Sequence, residues 1–167
     1  MRCVLLKLFI LVSGCITSCT SNQTYDQKLK EISQHTVPTI TSEQLQNWQK
    51  SKQKITIIDT RSEAEFKVSQ LQQARFLDYE NHTGTDLQKF PKDQKIVVYC
   101  SVGYRSERVG EKLQQIGYSN VYNLYGGIFS WVNSGRPVYS QGRQTNKIHG
   151  YAPGWGKWLK KGDIVYE

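Results

Sequence analysis

Four apolar residues, Ile96-Val-Val-Tyr99, run straight into Cys100, and the loop Ser101-Val-Gly-Tyr104 leads to Arg105 and then to Val109, Leu113 and Ile116 at helical spacing. No other stretch constrains the fold as tightly. A short, uninterrupted aliphatic run is the pattern of a strand buried on both faces, as in a parallel sheet. It hands over through a tight loop to an amphipathic helix whose first turn holds Arg105 and Ser106. The first N–H groups of a helix lack intrahelical acceptors, and with the loop amides they converge on one point beside the positive end of the helix dipole. A thiol placed there is expected as thiolate, the form of cysteine that attacks.

The remaining segments repeat the strand-to-helix pattern. Ile55-Thr-Ile-Ile58 is a β-branched run ending in Asp59-Thr-Arg61, and Val121-Tyr-Asn-Leu124 is a second one ending at Gly126-Gly127. Thr41-Ser-Glu-Gln44 has the capping-box pattern ahead of a helix over 42–50 that carries Leu45 and Trp48 on one face. Short helices are expected over 62–67 and 128–133, the latter stopped by Gly135 and Pro137, and a longer one over 106–116 with Gly117 as its C-cap. Residues 68–90 read as loop with one short strand at 74–77. Strands alternating with helices give an α/β fold with a parallel sheet. Ligands of such sheets bind beyond the strand carboxyl ends, where Asp59, Arg61 and Cys100 all fall.

Cysteine placement separates the domain from its leader. Of four cysteines in 167 residues, Cys3, Cys15 and Cys19 lie at the N-terminus, and Cys100 alone is left for the globular part. That excludes a disulfide framework or a cysteine-rich zinc site in the domain. Residues 1–18 read as a lipoprotein-type signal peptide, with Arg2 and Lys7 ahead of an apolar run too short to span a bilayer. Val12-Ser-Gly-Cys15 and Ile16-Thr-Ser-Cys19 both resemble a bacterial lipobox, so the lipidated residue is Cys15 or Cys19. The expected location is the bacterial cell envelope, facing the periplasm or the exterior, with membrane contact through the lipid anchor only. Residues 19–36 read as a polar tether, 37–140 as the domain, and 141–167 as an aromatic extension (Tyr151, Trp155, Trp158) that packs on it. The net charge of +8 is scattered along the chain, which mildly favours small anions or an anionic lipid surface. No basic-aromatic array speaks for nucleic acid. His35, His82 and His149 lie outside every motif and are expected at the surface or in packing.

Three motifs in order carry a resemblance. Cys100-Ser-Val-Gly-Tyr-Arg-Ser106 after a hydrophobic strand resembles the active-site loop of the rhodanese family, the sulfurtransferases. Ile58-Asp-Thr-Arg61 with Glu65-Phe66 resembles its N-terminal signature, and Leu124-Tyr-Gly-Gly-Ile-Phe-Ser-Trp131 with Gly135-Arg-Pro-Val138 its C-terminal one. The resemblance implies a single rhodanese-like domain with a parallel sheet of about five short strands and helices on both faces. It implies Cys100 as the nucleophile, carrying sulfur as a persulfide from thiosulfate or another sulfane donor to cyanide, a thiol or a protein cysteine. Ser101, Val102, Gly103, Tyr104, Arg105 and Ser106 would form the substrate-binding loop, with Arg105 either holding the loop or orienting an anionic donor. Asp59 and Arg61 would support it. No metal and no cofactor beyond the covalent persulfide is implied; the partners are small sulfur-containing anions and a thiol protein as acceptor or reductant.

The chain departs from the family in two places. Ser69-Gln-Leu-Gln-Gln-Ala74 stands where many members have Gly-His-Ile-Pro-Gly-Ala, which bears on a turn. Ser101 replaces the basic residue of many thiosulfate-using members, which weakens the hold on an anionic donor. Two other classes compete. Tyrosine phosphatases and arsenate reductases also place a thiolate at an anion-binding loop, but phosphatase loops hold one residue more between Cys and Arg than the four of Ser101 to Tyr104. A non-catalytic rhodanese-like module would bind protein or sense sulfur, and such modules often lack the cysteine retained here.

Overall fold

The structure, a computed structural model, describes residues 23–166. The leader, with Cys15 and Cys19, lies outside the described residues. In chain order the elements are α1 (Tyr25–Ile32), β1 (Thr39–Ile40), α2 (Ser42–Lys50), β2 (Ile55–Asp59), α3 (Glu63–Val68), β3 (Arg75–Phe76), α4 (Gly84–Leu87) and β4 (Lys95–Tyr99). There follow α5 (Tyr104–Gln115), β5 (Val121–Leu124), α6 (Gly127–Asn133), β6 (Val138–Ser140), β7 (Arg143–Thr145), β8 (Lys147–His149), α7 (Pro153–Gly156) and β9 (Asp163–Val165).

The first five strands form one parallel sheet in the order β1-β5-β4-β2-β3, with β4 central. Alternation along β4 explains why both faces are covered. Ile96 and Val98 point into a cluster with Val109 and Leu113 of α5 and Leu87 of α4. Val97 and Tyr99 point the other way, against Leu45 of α2 and Ile128 and Phe129 of α6. Register pairs Asp59 with Tyr99 and Val98 with Asn123, so the ends of β2, β4 and β5 open on the same edge. Two more pairs of strands, antiparallel β6–β7 and parallel β8–β9, follow the sheet.

Residues 23–36 differ from the tether the sequence suggests. Thr24 and Gln27 make a capping box that starts α1, and Leu29 is buried in the main core. Tyr25 donates to the carbonyl of Gly126 at 3.0 Å. The buried carboxylate of Glu107 on α5 accepts from the amides of Gln34 at 3.0 Å and Thr36 at 2.9 Å, and from the hydroxyls of Ser33 and Thr36 at 3.3 Å. A polar composition misleads here because one buried carboxylate takes two backbone amides and two hydroxyls of the 33–36 turn. The edge strand β1 is also absent from the sequence pattern, being two residues long.

The C-terminal segment lies on the domain. Ile148 and Leu159 join the main core, Asn133 of α6 donates to the Trp158 carbonyl at 2.9 Å, and Lys160 donates back to Asn133 at 2.7 Å. Tyr25 stacks on Trp158 with ring centroids 5.5 Å apart, so the two terminal segments meet. In the turn where the family's glycine is missing, Gln73 holds a left-handed φ of +61° and Ala74 donates to the Leu71 carbonyl at 3.1 Å. The turn is therefore kept with a side chain in a region glycine would occupy at less cost.

Candidate active site

Cys100 follows the last residue of β4 and is buried, with Sγ accepting from the Gly103 amide at 3.1 Å. The loop after it is pinned through its carbonyls. Ile128 and Phe129, in the first turn of α6, donate to the carbonyls of Cys100 at 2.9 Å and Ser101 at 3.1 Å. The carbonyl of Gly103 accepts from Asn123 Nδ2 at 2.9 Å and lies 3.1 Å from the Ser106 hydroxyl, which also meets Asn123 Oδ1 at 2.7 Å. Gly103 takes φ +104°, the conformation that turns the chain into α5. Gly127 allows the contact with α6: a Cβ there would stand 2.2 Å from the Cys100 carbonyl oxygen.

With those carbonyls turned outward, the N-terminus of α5 is left open beside the thiol. Helices α1 to α4 each begin with a complete capping box, whereas α5 begins on Gly103 with no side-chain cap. The N–H groups of Tyr104, Arg105 and Ser106 find no acceptor among the described residues. Unsatisfied donors at a helix start are a ready site for negative charge.

Arg105 latches the loop. Its Nη1 and Nη2 donate to the two oxygens of Glu65 at 2.8 and 2.7 Å, and Nη2 also reaches the Ser101 hydroxyl at 3.0 Å. Ser101 in turn donates to Glu65 at 2.6 Å. Burial alone would raise the Glu65 carboxyl, but the bonds and charge of Arg105, the Ser101 hydroxyl and the charge of Arg61 outweigh it and hold the group at about 2. Glu65 also accepts from the Ser62 amide at 3.0 Å and so caps α3. Sequence reasoning places Glu65 only inside a signature; the Ser62-x-x-Glu65 capping pattern was the one signal available for it, and its pairing with Arg105 spans 40 residues.

Asp59 and Arg61 lie beneath the loop, both fully buried. Arg61 Nε and Nη2 donate to Asp59 at 2.9 and 2.7 Å, and Nη2 also reaches the Ser69 carbonyl at 2.5 Å. Their link to the site is Tyr99, whose hydroxyl donates to Asp59 at 2.5 Å and accepts from the Leu71 amide at 3.0 Å. Burial and the neighbouring Asp59 push the Tyr99 phenol well above its ordinary range, so it remains a donor.

Over Cys100 lies a pocket of about 240 Å³ lined by Ile32, Cys100, Ser101, Val102, Tyr104, Arg105, Tyr151 and Trp155. Ile32 comes from α1, Tyr151 precedes α7, and Trp155 lies in it. A somewhat larger cavity, about 280 Å³, lies between Val132, Arg136 and Lys161 and contains none of the loop residues. His149 is buried behind Tyr151, accepting from its amide at 3.0 Å, and burial pushes its pKa down.

A parallel α/β sheet with an uncapped helix over a strand-end thiol defines a class, and comparison with known proteins gives the same one. Residues 41–134 match the rhodanese-like domain, and the chain belongs to that family. It is 31% identical over 100 residues to the probable adenylyltransferase/sulfurtransferase MoeZ of Mycobacterium tuberculosis, which covers 59% of this chain and 26% of that protein. It is 42% identical over 52 residues to a sulfurtransferase of Allochromatium vinosum, covering 31% of this chain and 49% of that one. A tRNA uridine(34) hydroxylase of Bdellovibrio bacteriovorus is 35% identical over 80 residues, 46% of this chain and 23% of the relative. The chain thus spans half or less of the curated relatives it matches. Among solved structures, a rhodanese-related protein from Thermoplasma volcanium aligns with a TM-score of 0.52 at 26% identity, covering 61% of this chain and 97% of its own.

Proposed function

We propose that this chain is a rhodanese-type sulfurtransferase that carries a sulfane sulfur as a persulfide on Cys100. The observation behind this reading is the position of the Cys100 thiol on the floor of a pocket, beside the open N-terminus of α5. The thiolate attacks the outer sulfur of thiosulfate or another sulfane donor; the donor's S–S bond breaks and sulfite, or the corresponding anion, leaves with the electron pair. The terminal sulfur of the persulfide then carries negative charge close to the amides of Tyr104, Arg105 and Ser106, which favour it as an oxyanion hole favours oxygen. Cyanide, a thiol or a protein cysteine takes that sulfur, and Cys100 leaves as thiolate. The transfer itself moves no proton, since Cys100 attacks and departs in the same form. Incubation with thiosulfate followed by intact-mass measurement tests the reading. One sulfur should add to the wild type and none to Cys100→Ser; no gain from thiosulfate and none from an organic sulfane donor, or an equal gain on both proteins, overturns it.

The rival phosphatase reading meets two obstacles. The Cys–Arg spacing is short by one residue, and Arg105 spends both terminal nitrogens on Glu65 and so has no free fork for phosphoryl oxygens. Robust hydrolysis of p-nitrophenyl phosphate that depends on Cys100 would reverse this choice. For location, the two lipobox-like sequences support export to the bacterial envelope and a lipid anchor on Cys15 or Cys19. A thiol protein in that compartment is the proposed acceptor or reductant. Loss of metabolic palmitate labelling in Cys15→Ser or Cys19→Ser, with the other variant still labelled, assigns the anchor; a wild type that takes up no label refutes it.

A further inference from the structure

We infer that the donor this pocket selects carries an apolar organic body on the sulfur that leaves, as in a thiosulfonate or organic persulfide, and that Tyr151 and Trp155 are its specificity-determining residues. The inference rests on the sulfurtransferase reading of Cys100. Its first support is where the wall comes from. The matched family region ends at residue 134, yet Trp155 and Tyr151, from the C-terminal segment, and Ile32, from α1, close the pocket over the thiol. With Val102 they leave it mainly apolar above Cys100.

Its second support is the charge. A dianion such as thiosulfate loses much hydration on entering a pocket of this size and needs a free cation to offset that loss. Among the described residues, each cation on the pocket or stacked on its walls already has a carboxylate. Arg105 is paired with Glu65 at 2.7 Å, Arg108 (over the Tyr104 ring) with Glu111 at 2.7 Å, and Lys28 (near the Trp155 ring) with Glu31 at 2.8 Å. What the loop offers is a few amides, enough for one anionic end. A thiosulfonate fits that supply: its sulfane end faces the amides while its organic group lies against Trp155. The step balances, since the Cys100 thiolate bonds to the sulfane sulfur, the S–S bond of the donor breaks, and a monoanionic sulfinate leaves with the electron pair.

Tyr151 is held at φ +63°, a left-handed conformation, with its ring 4.7 Å from the Arg105 guanidinium. Strain of this kind at a half-exposed tyrosine persists only where surrounding structure enforces it. It keeps the ring at the mouth of the pocket, stacked on the Arg105 guanidinium that lines it.

The test compares thiosulfate, methanethiosulfonate and benzenethiosulfonate as donors, with cyanide as the acceptor throughout and thiocyanate as the readout. The methyl compound shares the thiosulfonate group and so corrects for the leaving group. Wild type should show kcat/KM at least tenfold higher for the phenyl donor than for the methyl donor, with thiosulfate lowest. In Trp155→Ala and in Tyr151→Gly the phenyl-to-methyl ratio should fall at least fivefold. Tyr151→Gly relaxes a strained backbone and is expected to fold even where Trp155→Ala does not. A methyl donor or thiosulfate as good as the phenyl donor, or an undiminished ratio in Tyr151→Gly, overturns the inference while leaving sulfur transfer standing. Failure of all three donors to add sulfur to Cys100 by mass overturns the sulfurtransferase reading and the inference with it.

Discussion

Replacing Glu65 by Gln removes one negative charge while keeping an oxygen for Arg105 and for the Ser62 amide, since Gln also serves in a capping box. The cost can be worked two ways. Glu65 is 2% exposed and Arg105's side chain 15%, so the pair is shielded from solvent. Losing one partner of a buried pair costs about 3–5 kcal/mol, at the low end when hydrogen bonds survive. Independently, a carboxyl held at about 2 in the fold against an ordinary 4.5 contributes about 3 kcal/mol at neutral pH, at about 1.4 kcal/mol per tenfold. The folded value is depressed, so this stability is fully present above 4.5 and is lost as pH falls toward 2. The gap between wild type and Glu65→Gln should therefore be about 3 kcal/mol at pH 7 and shrink to about 1.5 kcal/mol at pH 3. Urea unfolding followed by tryptophan fluorescence at the two pH values measures it. A gap of the same size at both, or one under about 1 kcal/mol at pH 7, would refute the pairing as the source of the latch's stability.

Three further substitutions probe the elements around the loop. Gly127→Ala drives a methyl into the Cys100 carbonyl and forces φ +55° on a side-chain residue, so it should cost about 2–4 kcal/mol and cut persulfide formation on Cys100 at least about 100-fold. A stable and active variant in the same intact-mass assay would show that α6 does not pin the loop. Glu107→Gln leaves the 33–36 turn one acceptor oxygen in place of two, and hydrogen exchange over residues 25–36 should rise about tenfold or more, while β4 amides stay protected. Unchanged exchange in α1 would contradict its docking through this carboxylate. Gln73→Gly relieves a left-handed φ of +61° and should raise the unfolding midpoint by about 0.5 kcal/mol equivalent, the relief slightly exceeding the added chain entropy; a loss of more than about 1 kcal/mol would mean that the Gln73 side chain, and not the turn, matters there.

The central strand, its loop and α5 were legible because each has a local signature: an aliphatic run, a cysteine at its end, and apolar residues at helical spacing. Capping boxes made α2 legible in the same way. What stayed hidden was set by residues far apart in sequence. Arg105 could hold the loop or orient an anion, and the choice depends on Glu65, which α3 carries to it from another strand's end. The segment 23–36 reads as a spacer because nothing local says that Glu107 will receive its amides. Tyr99 counts as a core residue in the sequence, and only the register of β2 with β4 puts its hydroxyl on Asp59. Likewise the tail's aromatics announce burial without saying which of them will face Cys100.

Four helices of this domain are closed at their N-termini by their own side chains, and α5 is not. The short α6 and α7 lack a side-chain cap too, but it is α5 that opens beside Cys100, and there the folded chain has room for an anion that adds to its stability. Whatever anion settles against the open amides binds the folded chain and not the unfolded one, and at a hundred times its Kd it adds about 2.7 kcal/mol to the unfolding free energy. For a domain of this size that is a rise in Tm of roughly 5–10 °C. The melting curve is then a gauge of how full the loop is, readable without any turnover at all.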